Sequence, residues 1–105
     1  MGIVTNVALD NNVTDFSLAP IGAHISGIDI SSVVTLTKPT GAHAIVLQSS
    51  DQNVRYTLDG TTNPTATVGF LAVADVPPVL IPVTGPSFKV IQVAPTANLQ
   101  GQWVS

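Results

Sequence analysis

The sequence predicts an all-β fold, an antiparallel β-sandwich or jelly roll of eight or nine short strands. Three observations carry this. Val, Ile and Thr dominate the chain, and β-branched residues suit the pleated surface of a strand. Glu, a strong helix former, does not occur, and Lys and Arg together number three. No window sustains a 3.6-residue apolar period with caps; short runs divided by turn residues take its place, the pattern of a sandwich or barrel.

Ile3 to Leu9 reads as the first strand, turned by Asp10-Asn11-Asn12. Val13 to Leu18 reads as the second, ended by Pro20 and Gly22. His24 to Thr37 reads as one bent strand or two, with Gly27 as a bulge. In Lys38-Pro39-Thr40-Gly41 the proline presets one φ and the glycine accepts a positive one, which makes a turn. His43 to Gln48 follows, closed by a polar turn at Ser49-Ser50-Asp51-Gln52. Val54 to Leu58 is amphipathic, with Val54, Tyr56 and Leu58 on one face and Arg55 and Thr57 on the other. Asp59 to Pro64 is the longest turn cluster. Ala66 to Val73 and Val79 to Val83 flank the break at Pro77-Pro78; Phe88 to Val93 and Asn98 to Val104 complete the series. With no linker or internal repeat, 1–105 is one β-sandwich domain, of ordinary size for one core.

Charge is sparse. Only 9% of residues are charged, against about 25% in an ordinary soluble domain. A monomer of this mass has about 5,500 Å² of surface, hence about one charge per 600 Å². With 45% hydrophobic residues, part of the surface is apolar or neutral-polar, and contiguous apolar surface marks interaction sites. Ala44 to Leu47 and Phe88 to Val93 carry apolar side chains on both faces, with Lys89 and Gln92 the exceptions, which implies a second covering layer from loops or, the favoured reading, a neighbouring subunit. These features predict a homo-oligomer, with a trimer favoured over a dimer.

Other classes find no support. A net charge of −3 with three scattered cations gives nucleic-acid phosphates nothing to bind. The most apolar stretch, Val68 to Val83, carries Asp75 and three prolines and cannot make a membrane-spanning helix. The segment MGIVTNVALDNN has no Lys or Arg and no apolar core, unlike a signal peptide. The absence of cysteine suits a reducing cytoplasm and removes thiolate metal ligands.

Catalytic signatures are missing as well. His24 and His43 follow Gly-Ala dipeptides with no G-x-S-x-G elbow, so a structural role is expected for His43. No spacing among the six Asp favours a catalytic pair, and neither Asp10 to Asp15 nor Asp59 to Asn63 has the form of an EF-hand calcium loop. No cofactor, metal or enzymatic activity is expected. Arg55 and Asp59 share a strand face as a surface pair or a ligand clamp. Trp103, the only tryptophan, either closes the core or anchors a partner.

The stretch Val54 to Phe70, VRYTLDGTTNPTATVGF, resembles a pattern met in small structural proteins of tailed bacteriophages, where V-R-Y-T-x-D-G-T precedes P-T-A, a glycine and weakly charged strands. Gly41-Ala42-His43-Ala44 with Gln48, and Phe88 to Ala94, are similar too, so the likeness spans about residues 33 to 104. The resemblance implies a virion component made in the host cytoplasm: a head decoration or cement protein, or a minor tail or fibre protein, with other capsid or tail proteins as partners. A carbohydrate-binding module on a fibre is the alternative, although 5% aromatic residues leave few for a sugar platform.

One segment is expected to make the contact between chains. Pro77, Pro78 and Pro82 confine Asp75 to Val83 to a sheet edge. Val79, Leu80 and Ile81 cannot all face inward from an extended strand, so at least one points out and needs cover. The predicted interface is therefore Val79, Leu80 and Ile81, joined by Trp103.

Overall fold

A computed structural model describes residues 18–105. The strand expected over Ile3 to Leu9, all but the last residue of Val13 to Leu18, and the Asp10 to Asp15 loop lie outside the described residues. Eight strands follow in order: β1 Pro20–Ile25, β2 Val34–Thr37, β3 Ala44–Ser50, β4 Val54–Thr57, β5 Phe70–Ala72, β6 Val79–Pro82, β7 Ser87–Gln92 and β8 Asn98–Val104. They form two four-stranded antiparallel sheets, β1-β8-β3-β6 and β2-β7-β4-β5, the first and second sheets below.

This order is a jelly roll, one long hairpin wrapped into two sheets. The register makes the wrapping explicit. Pro20 opposes Val104 and Val34 opposes Val90, each pair centred on residue 62. Ala44 opposes Pro82 and Val54 opposes Ala72, each centred on residue 63. The chain thus doubles back about its Asp59 to Pro64 turn cluster. That apex is built by side-chain acceptors: Asp59 Oδ1 accepts the backbone N–H of Thr61 at 3.0 Å and of Thr62 at 2.8 Å, and Oδ2 accepts the Thr62 hydroxyl at 2.5 Å. The Thr62 hydroxyl first, then the two N–H groups, hold the Asp59 carboxyl at about 2.

The core lies between the sheets. Ile45 and Leu47 of β3, Leu99 and Trp103 of β8 and Ile81 of β6 meet Val54 of β4 and Phe88 and Val90 of β7. Tyr56 stacks on Phe88 with ring centroids 5.2 Å apart. The outward apolar residues of β3 are partly covered from within: Ala44, flanked by Val104 and Pro82, is buried, and Val46 is half-buried between Gln102 and Leu80.

Four expectations change. Pro20 begins β1 rather than ending a strand. The N–H of Ser105 donates to Ala19 O, so in the antiparallel alternation Ala19 and Ile21 bond to β8 and Pro20 faces away, where a missing donor costs nothing. His24 to Thr37 holds two strands, the end of β1 and all of β2, in opposite sheets, and Gly27, at φ +67°, lies on the crossing between them rather than at a bulge. Ser49 and Ser50 extend β3 instead of turning; Ser49 is buried and its hydroxyl donates to Gln52 O at 2.5 Å.

The fourth change bears on function. Residues 66–69 are a turn, and β5 is confined to Phe70–Ala72. Thr65 Oγ1 accepts the N–H groups of Thr67 and Val68, and Arg55 Nη1 donates to Gly69 O at 3.0 Å. Gly69 has φ +117°, and a Cβ there would lie 2.9 Å from Tyr56 O. Gly69→Ala should therefore push β5 off β4 and cost about 1–3 kcal/mol, read as a lower urea midpoint. An unchanged midpoint would show that β5 is not anchored by this glycine.

Candidate functional site

The residues singled out for chemistry do not converge. His24 Nε2 lies 2.7 Å from Gln100 Oε1 on the outside of the first sheet. His43 is tied by its backbone, its N–H donating to Val104 O and its carbonyl accepting from Val83. Arg55 and Asp59 do not meet: the guanidinium serves the carbonyls of Ala66 and Gly69, and the carboxylate serves Thr61 and Thr62. Among the described residues no three His or Asp side chains gather at metal-binding distance, and no helix is long and apolar enough to cross a membrane.

What does converge is apolar. Seven of the eight large hydrophobic side chains exposed among the described residues fall between 68 and 80: Val68, Phe70, Leu71, Val73, Val76, Val79 and Leu80. The fold explains the clustering. β5 ends the second sheet, β6 ends the first, and the 73–78 connection crosses between them, so both edges open on one side of the sandwich. A groove of about 430 Å³ lies there, floored by Leu47, Tyr56 and Ala72, with Val73, Val76 and Leu80 at its mouth.

Polar contacts pin the crossing segment from behind. The Asp75 N–H donates to Ser49 O, the Ala74 N–H to Asn53 Oδ1, and Gln48 Nε2 to Val76 O. Asp75, at φ +62°, turns its carboxylate toward the N–H of Asp51. The apolar side chains are thereby left facing out.

A second surface adjoins this edge. No residue of β1, β3, β6 or β8 is Asp, Glu, Lys or Arg. The outer face of the first sheet presents His24, Asn98, Gln100, Gln102, Gln48 and Val46, with Leu80 at its margin. In the second sheet, Arg55 and Lys89 stand on the outside. The scarcity of charge is thus concentrated on one face.

The four predicted interface residues divide. β6 lies at a sheet edge, and Leu80 is 42% exposed on its outward side; Val79 is exposed to the same extent at the groove. Ile81 is 6% exposed and opposes Ile45, so it belongs to the core. Trp103 is 5% exposed, on the inward parity of Leu99 and Gly101. It lies in the core. Phe70, Leu71, Val73 and Val76 escaped the sequence reading. Their signal was the low charge of Val68 to Val83 as a whole, of which only the proline-flanked end was used.

Comparison with protein-family models, curated proteins and solved structures finds no match to the chain.

Proposed function

We propose that the chain is a non-enzymatic structural protein of a tailed-phage virion, a head decoration protein that lays the outer face of its first sheet on the shell. The uncharged β1-β8-β3-β6 sheet carries this reading. A face of amides, small residues and aliphatics gives up little hydration when covered, whereas each unpaired charge buried there would cost several kcal/mol. Repetition over a lattice lets individually weak contacts act together. The likeness of Val54 to Phe70 to small phage structural proteins points the same way. The jelly roll recurs in viral capsid and lectin domains, an analogy of fold that favours this reading.

Purified protein added to particles that lack it should appear by electron microscopy as density at regular positions on the head. Gln100→Glu, which keeps the shape of the side chain and adds one charge to the face, should lower occupancy at least tenfold without changing the melting temperature. Density on the tail, or none on the particle, would overturn the assignment.

A further inference from the structure

The four edges of the two sheets are not equally open to another strand. On β6, the N–H of Val83 donates to His43 O, so Val79, Ile81 and Val83 bond to β3 and Leu80 and Pro82 face away. Pro82 has no N–H to offer, and Pro20 occupies the same outward position on β1. On β2, the N–H of Lys38 donates to Pro86 O, which turns Thr35 and Thr37 outward. There the Lys89 ammonium bonds the Thr35 hydroxyl at 2.9 Å and sets a lysine beside the edge, of the kind that discourages edge pairing, while the Lys38 ammonium turns back to Val83 O. Among the described residues β5 carries neither an outward proline nor a lysine at its centre; Arg55 covers only the carbonyls of Ala66 and Gly69 that precede it. The N–H of Val93 donates to Asn53 O, so Val54 and Tyr56 bond toward β5, Phe70 and Ala72 answer them, and the N–H and C=O of Leu71 point away from the sheet.

We propose that β5 is the pairing edge for β5 of a second copy of this chain, antiparallel about a two-fold axis at Leu71. Each Leu71 exchanges its N–H and C=O with the other, joining the two second sheets into one of eight strands. The register also matches side chains. Phe70 and Ala72 share the core-side parity of β5, and pairing about Leu71 sets each Phe70 opposite the other copy's Ala72. Phe70 is the most exposed of the apolar side chains, at 60%, while Ala72 is small and floors the groove. Directly opposed residues have Cβ atoms about 4.5–5.5 Å apart, so each ring would cap the other groove.

Charge and area fit a self-contact. Between residues 65 and 82 only Asp75 is charged, and its carboxylate is turned toward Asp51. Phe70, Leu71, Val73 and Val76 are 39–60% exposed side by side, a contiguous apolar surface of the kind that marks an interaction site. The contact proposed at this edge is two-fold, whereas the sequence favours a trimer. It stands apart from attachment to a shell and is measurable without one.

Sedimentation equilibrium at micromolar concentration should give twice the chain mass. Leu71→Pro removes the outward N–H without touching the β4 ladder, and should leave a folded monomer with association weakened at least tenfold; Leu71→Ala, which keeps the N–H, should weaken it less. Because the chain has no cysteine, Leu71→Cys should form a disulfide-linked dimer on mild oxidation. The Cα separation of about 5.5 Å in such a pair lies within disulfide reach. Thr35→Cys on the guarded β2 edge should link far more slowly. A monomeric parent, a Leu71→Pro variant that still dimerises, or equal linking at 35 and 71 would each overturn the proposal. Should Leu71→Pro fail to fold, the comparison of the two cysteine variants decides it.

Discussion

Ile81→Asp is expected to unfold the chain, whereas Leu80→Asp, one residue earlier, leaves it folded and unable to attach. Ile81 faces Ile45 across the β3–β6 pair in the core, and a carboxylate there has no partner. Burying it costs several kcal/mol, a large part of the about 5–15 kcal/mol that holds a domain together. Leu80 points out beside Val46, at the junction of the uncharged face and the apolar edge. Its replacement should change stability by less than about 1 kcal/mol, as at most surface positions. Circular dichroism melts separate the two variants, and occupancy on particles measures attachment by Leu80→Asp. If Leu80→Asp attaches as the parent does, this margin of the face is not a contact.

Phe88→Ala should be the most damaging truncation of a single side chain. The ring is fully buried, stacks on Tyr56 and stands between the sheets. Its loss removes transfer energy and leaves a cavity, together about 3–5 kcal/mol. For a domain of this size that lowers Tm by roughly 15–30 °C. Phe70→Ala provides the contrast: the same residue type, exposed at the groove, should cost the monomer little. Equal losses at the two positions would mean that the Phe70 ring is structural.

Much of the fold was legible because strand periodicity and turn chemistry agree along the chain. The closing run Asn98 to Val104 has the bounds of β8, and the Asp59 to Pro64 cluster reads as the longest turn. What could not be read is which turn organises the rest: the midpoint symmetry about residues 62 and 63 becomes visible only when distant strands pair. Prolines misled in one direction. A proline reads as a strand stop, yet Pro20 occupies an outward position of an edge strand, where a ladder loses nothing. Arg55 was judged by its sequence neighbour Asp59, but its guanidinium reaches carbonyls eleven and fourteen residues on, in the turn that sets the start of β5. The parity of Trp103 with Leu99 and Gly101 already placed it inward, and a lone tryptophan drew attention for its type rather than its position.

A chain doubled about one apex also has a preferred order of assembly. If β4 and β5 meet first across the Asp59 turn, β3 and β6 are already close, and β2 with β7 and then β1 with β8 follow, each closing only a short additional loop. Loop-closure entropy, the main reason that all-β topologies fold slowly, is then met in small instalments rather than at once. In chain order each described strand after the apex follows the strand it pairs with. In this order β8 would be the last of the described strands to pair, between β1 and β3, bringing Trp103 to the core.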